Sequence, residues 1–253
     1  MHTFQHIFRS LWATIKPYLK KLPFAFTKNQ RYDRQTAAII RRTCTVRSNC
    51  IDAGTHKGEI LDLFIKSAPL GHHFGFEPLP QLYAALCKKY NRKNNIHLFD
   101  AALSHRCGTS SFNYVRSNPS YSGLKKRSYD RPFEEDEQIE VRTVTLDSVM
   151  MPLDIPVHLV KIDVEGGELD VLKGARGVLS TYHPLVIFEC GIGGSDHYGT
   201  TPHMLYHFFE ELGYRILLMD VFLKGGAPLS YDQFKEQFNR NLHYYFIAAY
   251  DCS

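Results

Sequence analysis

The feature that most constrains this chain is an alternation between residues 48 and 190. Short, near-continuous apolar runs close on an acid: Asn49–Asp52, His72–Glu77, Ile96–Phe99 before Asp100, Val157–Ile162 before Asp163, and Leu185–Glu189. Between them, apolar residues recur at steps of three and four. One such face holds Ile60, Leu61, Phe64 and Ile65, and the next Leu79, Leu82, Tyr83, Leu86 and Tyr90. A third runs through Leu169, Val171, Leu172, Ala175, Val178 and Leu179. Apolar runs without alternation suit strands buried on both sides, and the amphipathic segments between them are the helices that cover a parallel sheet. The expected fold class is therefore α/β: a mostly parallel seven-stranded sheet with helices on both faces.

Towards the C-terminus the pattern changes. Residues 202–212 read as a helix, and 214–222 (YRILLMDVF) and 243–250 (HYYFIAAY) as extended segments that pair antiparallel at the sheet edge. Residues 109–115 and 138–145 suit a hairpin, giving an insertion over about 105–147. Its connection, 117–136, is rich in Ser, Tyr, Pro and charge, and loops that long in a compact domain usually carry function or are disordered. The KKR run at 125–127 and the EEDE run at 134–137 are either solvated charges or a clamp over the strand ends.

Charge divides the chain. Residues 1–50 hold ten Lys/Arg and one acid, Asp33, whereas 51–253 hold 20 Lys/Arg and 25 acids, so the basic character belongs to the N-terminal arm. Phe4, Ile7, Phe8, Leu11, Trp12, Ile15 and Leu19 form an apolar stripe there, with Arg9, Lys16, Lys20 and Lys21 off it. Such a helix lies on an anionic membrane or caps a neighbouring core. A second short helix is expected over 31–43. The domain reading is a basic amphipathic helical segment over 1–45 and a main domain over 46–253. No run of 18 uncharged apolar residues predicts a membrane span, and no secretory signal is evident. The six cysteines form no CxxC pair, no Cys/His cluster has zinc spacing, and the thiols read as reduced. The expected location is cytoplasmic, peripheral to a membrane if the basic helix binds one.

In an open α/β sheet, ligands bind beyond the carboxyl ends of the strands. After the first strand stands Asp52-x-Gly54-x-x-x-Gly58, glycines that let the backbone turn tightly beside a ligand. Glu77 ends the second strand, where an acid accepts hydrogen bonds from ribose hydroxyls. Asp100 ends the third, and Asp163 and Glu165 follow the fourth, nearest the expected reaction centre. His56 occupies the place of a dinucleotide fingerprint's second glycine, which argues against a pyrophosphate passing close to the backbone. Asp52 would also repel a diphosphate. A cationic ligand, such as a sulfonium bearing an amino group, suits this ring of acids better.

The segments IDAGTHKGE (51–59), GFEPLP (75–80), FDAALS (99–104) and KIDVEGGELDVLKGA (161–175), with the strand PLVIFEC (184–190), resemble the FkbM-type methyltransferases over about residues 46–250. The resemblance implies a Rossmann-like class I methyltransferase fold and S-adenosyl-L-methionine as methyl donor. It implies that Asp52, Gly54, Thr55, His56 and Gly58 shape the methionine-side pocket, that Glu77 and Pro78 hold the ribose, and that Asp100 and Ala101 flank the adenine. Asp163 and Glu165 would face the methyl group and the acceptor. Where the family commonly has Ala-Asn after the first glycine, this chain has Thr55-His56.

The expected reaction is O-methylation of a hydroxyl on a carbohydrate or secondary-metabolite acceptor. Asp163 is the first candidate for the base or for orienting the acceptor, with Glu165, Glu189 and His73 in reserve. A raised pKa at a buried strand end would suit a base. A ligand of the donor's amine or a helix cap is the alternative role for Asp163. No metal site is expected, although Asp163, Glu165 and Glu189 offer oxygen ligands suited to Mg²⁺. His203 and His207 lack the metalloprotease glutamate and read as ordinary helix histidines. The Asn/Asp-Pro-Pro-aromatic signature of nucleic-acid methylation is absent at the fourth strand, which reads Asp163-Val164-Glu165-Gly166. A nicotinamide-dependent enzyme and a non-catalytic binding module are the rival readings.

Overall fold

The computed structural model describes residues 27–129 and 134–251. The expected apolar stripe over residues 4–19 lies outside them. Ten strands are present among the described residues: β1 (Cys50–Ala53), β2 (His73–Phe76), β3 (Ile96–Phe99), β4 (Ala102–Leu103), β5 (Gly108–Val115), β6 (Asp136–Val144), β7 (Leu159–Ile162), β8 (Leu185–Glu189), β9 (Tyr214–Leu218) and β10 (Tyr245–Tyr250). The helices are α1 (Lys28–Thr43), α2 (Glu59–Ser67), α3 (Pro80–Tyr90), α4 (Leu146–Met150), α5 (Glu168–Lys173), α6 (Arg176–Tyr182), α7 (Pro202–Glu211), α8 (Met219–Lys224) and α9 (Tyr231–Asn239).

Seven strands form the main sheet in the order β3-β2-β1-β7-β8-β10-β9. Pairing is parallel from β3 to β8, and β10 runs antiparallel to both β8 and β9. The expected fold class is the one observed. Strand order reverses beside β1, since β2 lies on one side and β7 on the other. Such a switch point opens a crevice beyond the strand ends.

One face of the sheet packs Phe74, Phe76, Ile162, Phe188 and Phe246 against Leu172, Leu179, Leu205, Phe209 and Phe234 of the covering helices. The other face sets Cys50, Leu159, Ile187 and Ile247 against Ile39 and Ile40 of α1, Leu61 and Phe64 of α2, and Met219. The helix expected over 31–43 thus begins at Lys28, capped by the Thr27 hydroxyl, and is part of the core rather than an appendage. β5 and β6 form the expected hairpin, with β4 added parallel to β6.

Three local readings differ from the structure. The helical stripe over 169–179 is two helices, α5 and α6, broken at Gly174. A Cβ on Gly174 would lie 2.1 Å from the Ser104 carbonyl oxygen, so that close approach ends the first helix. The extended segment 214–222 stops at Leu218, the last residue paired with β10, and Met219–Lys224 turns back as a helix. That turn is held from α1 by Arg42, which donates to the Leu223 carbonyl. Helix α9 is additional to the elements expected from sequence, and its signal is in the chain: Ser230 and Gln233 form a capping box.

Candidate active site

A cavity of about 570 Å³ opens beyond the carboxyl ends of β1, β2 and β7. Its wall brings together Gly54, Thr55, His56, Glu77, Pro78, Asp163 and Glu165 from the expected set. The β1–α2 turn is built by left-handed residues, Gly54 at φ 84° and His56 at φ 51°. Gly54 is required there for a second reason: a Cβ would fall 2.0 Å from the Asp163 carbonyl oxygen. Gly58, at φ 79°, caps α2 against Tyr90 and stands behind the wall rather than in it.

Glu77 is held at both oxygens. The His56 N–H donates to Oε2 at 2.8 Å, and the Leu79 N–H to Oε1 at 2.9 Å. Burial pushes its carboxyl up to about 7 against these two bonds. Beside it, Leu79, Leu82, Ala102, Leu103 and Phe112 form an apolar slot.

Asp163 sits in a different environment from the one a base requires. Lys161 Nζ and the Tyr245 hydroxyl each lie 2.5 Å from its Oδ2. Burial opposes its ionisation, but the Lys161 ammonium and hydrogen bonds from Glu189, Lys161 and Tyr245 hold it well below the usual carboxylate range. The raised pKa expected at this strand end is therefore reversed, and Asp163 is a fixed anion and a weak proton acceptor. Glu189 carries the raised value instead, through burial and then the neighbouring Asp163 charge. Burial likewise keeps the Tyr245 hydroxyl protonated.

Asp52 and Asp100 do not join the cavity wall. Asp52 is wholly buried beneath it, directly opposite Lys161 in register, and neither carboxyl oxygen has a partner. Burial pushes it up to about 8. Asp100 points to solvent and pairs with Arg142 at 2.5 Å, because the β5–β6 hairpin presents that arginine to it. Ala101 is buried one residue short of the slot, which Ala102 and Leu103 line. His73 is a core residue: its Nε2 meets the Ala68 carbonyl at 2.9 Å and its ring stacks on Phe64.

The connection after β5 covers the site. Ser120 and Ser122 line the cavity, and Ser120 Oγ lies 3.4 Å from His56 Nε2. Arg127 pairs with Glu165, the Lys125 N–H donates to the Tyr198 hydroxyl at 2.9 Å, and Ser128 Oγ lies 3.0 Å from His197 Nε2. Of the charged runs there, Lys126 pairs with Asp136 and Arg116 with Glu137, both at 2.7 Å. Burial lowers the His56 imidazole below its ordinary value, so it is neutral near pH 7.

Several wall residues escaped the sequence reading. Tyr32, Asp33 and Thr36 come from α1, and Lys161 and Tyr245 from β7 and β10. Glu168 braces the turn after β7 by accepting from the Val164 and Gly166 N–H groups. Lys161 lay inside the KIDVEGG motif, two positions before Asp163, hence on the same side of the strand. Asp163, Glu165 and Glu189 each bring an oxygen within 4.8 Å of the others. Lys161 and Arg127 already pair with the first two, so the chain's own cations match this charge.

A family model for the methyltransferase FkbM domain matches residues 52–216. Among solved structures, the FkbM methyltransferase of Methylobacillus flagellatus KT is similar at 17% identity and a TM-score of 0.51. The match covers 82% of this chain and 44% of that one, so this chain spans less than half of that protein's length. A putative rRNA methylase from Clostridium thermocellum follows at 12% identity and a TM-score of 0.48, covering 92% of this chain and 99% of that one. A putative methyltransferase from Streptococcus mutans, solved in complex with SAH, stands at 10% identity and 0.47, with coverages of 86% and 96%. A comparison with curated proteins returns no match.

Proposed function

We propose a function from one premise: this chain belongs to the family of FkbM-domain methyltransferases. We infer that its methyl donor is S-adenosyl-L-methionine and that its acceptor is a hydroxyl of a carbohydrate or secondary metabolite. The observation that carries this reading is the charge of the cavity wall. Asp33, Glu59, Glu77, Asp163 and Glu165 face it; Lys161, the one Lys or Arg among the described lining residues, pairs with Asp163, and Arg127 behind the wall pairs with Glu165, so the acids outnumber these cations by five to two. Such a wall favours a cation and disfavours the pyrophosphate of a nicotinamide dinucleotide or the backbone of a nucleic acid.

The residues present fit the donor. The Glu77 carboxyl, steadied by two N–H groups, keeps lone pairs for two ribose hydroxyls. The slot of Leu79, Leu82, Ala102, Leu103 and Phe112 suits a purine, and Asp163 supplies an anion for an amino group. A cavity near 570 Å³ is in the range of cofactor sites. When bound, the donor supplies a methyl group already activated by its sulfonium. The work left to the chain is alignment, proton removal and exclusion of water. Neutral His56 takes the acceptor's hydroxyl proton, a role that the tightly paired Asp163 fills poorly. Ser120 sets the imidazole, and the connection over the cavity keeps water out.

Calorimetric titration with S-adenosylhomocysteine and with NAD tests the donor. Tight NAD binding without S-adenosylhomocysteine binding would overturn it. Transfer from labelled donor to neutral glycosides tests the acceptor and separates an enzyme from a binding module. A membrane-bound lipid acceptor would give the basic N-terminal segment a purpose. Flotation of the full chain with anionic liposomes at low salt checks this, and absence of binding ends it.

A further inference from the structure

Lys161 is buried, yet it reaches the cavity wall from the floor of the sheet. Its ammonium lies 2.5 Å from Asp163 Oδ2 and 5.4 Å from the centre of the Tyr245 ring, whose hydroxyl meets the same oxygen. Opposite it on β1, the buried Asp52 carboxyl has no hydrogen-bond partner. We propose that Lys161 is a positioning residue of the donor site: with Tyr245 it fixes Asp163 as the anion that receives the donor's amino group. The inference rests on the donor reading above.

Among the described residues, the groups around Asp163 are Lys161 from its own strand, Asp52 from β1, Glu189 from β8, Tyr245 from β10, Glu168 from α5, His56 from the β1–α2 turn, and Glu165 after β7, which Arg127 pairs. Among these described neighbours Lys161 is the one standing cation. Burial alone holds its charge down, but Asp163 and then Asp52 hold it above the ordinary lysine value, so the ammonium persists. Without it burial acts on Asp163 with its main opposing charge removed, and the carboxyl shifts upward towards its protonated form. A neutral carboxyl, still met by Tyr245 but without its charge, loses its grip on an ammonium group, while the ribose and purine contacts, which lie after β2, on α3, on β4 and on β5, are unaffected.

Two probes separate these parts. S-adenosylhomocysteine carries the amino acid moiety, and 5′-methylthioadenosine carries the ribose and purine without it. The readout is the ratio of their affinities, measured by calorimetry from pH 8.5 to 6 on the full chain, so that any titration of Glu77 cancels. In the wild type Asp52 and Glu168 titrate in the same window, so its ratio is the reference profile. In Lys161→Met the ratio falls below that reference as pH falls, by about tenfold per unit below the new Asp163 midpoint. Lys161→Arg restores the wild-type profile. Lys161→Gln, which keeps a polar stem, carries the same expectation if the methionine variant does not fold. A wild-type profile in the folded neutral variant, or parallel loss of both probes, overturns the inference and leaves the donor reading standing. A wild type that binds neither probe overturns both.

Discussion

Replacing Glu77 with glutamine isolates the contact assigned to the donor's ribose. The side chain is buried, with one oxygen on the His56 N–H and the other on the Leu79 N–H. Glutamine keeps the shape and one acceptor, turns an NH₂ towards the second N–H, and carries no charge. A hydrogen bond to a charged group contributes about 1.5–3 kcal/mol, so losing one weakens binding roughly 10- to 150-fold. The pH dependence follows from the same carboxyl, which burial raises to about 7. Its ionised form accepts from the ribose diol. Affinity is therefore full above that value and falls as pH drops through it, by about tenfold one unit lower. Calorimetry with S-adenosylhomocysteine and 5′-methylthioadenosine should show both weakening in parallel in the wild type and flat profiles in Glu77→Gln. A variant that binds within about threefold of the wild type at pH 8, or a wild type without a midpoint near neutrality, refutes the assignment.

Gly54→Ala places a Cβ 2.0 Å from the Asp163 carbonyl oxygen at a φ of 84°. The left-handed backbone alone costs about 1–2 kcal/mol, so the melting temperature should drop and donor binding should be lost. Normal binding in a calorimeter would contradict the tight β1–β7 contact. Asp52 has a folded pKa raised to about 8, above its unfolded value, so the folded state holds more protons between the two and stability declines as pH rises through that window. Asp52→Asn should match the wild type near pH 4 and exceed it by on the order of 5 kcal/mol at pH 8, read from urea melts; equal pH dependence in both proteins counts against it. Arg127→Ala removes the partner of Glu165 and should speed hydrogen exchange across residues 117–129, with little change in the global melting temperature. Unaltered exchange there would show that Arg127 is not what closes the loop.

The parallel sheet was legible because its strands are buried on both faces, which leaves an apolar run that no amphipathic helix produces. The strand-end acids were legible for a related reason, since a carboxyl that closes such a run stands at the edge of the sheet where the crevice opens. That logic distinguishes position but not direction. Asp100 has the same sequence signature as Glu77 and turns outward, because Arg142 reaches it from a hairpin whose register only the folded chain defines. From sequence, Asp163 is a candidate base by its place nearest the reaction centre, and burial alone would raise its carboxyl. The ammonium two residues earlier wins over burial, and that depends on a strand's pleat and on Tyr245, 82 residues away. The α1 wall was hidden for a simpler reason. Its stripe identifies a helix, but nothing in a stripe says which part of the chain it covers. His56 was noted as a departure from the family's Asn, and the structure supplies the backbone half of the explanation: the position is left-handed, a region that Asn and His both enter more readily than bulkier residues.

The cavity draws its surfaces from two sources. Glu77, Gly54 and Asp163 immediately follow parallel strands, while Tyr32, Asp33 and Thr36 come from α1, and Ser120 and Ser122 from the connection within the hairpin insertion. The second group lies outside the strand-helix alternation, so substitutions there do not disturb sheet register. Under the proposed function, a search for a new acceptor would vary the cavity-facing positions of α1 and the insertion and keep Ile39 and Ile40, which hold that helix on the sheet.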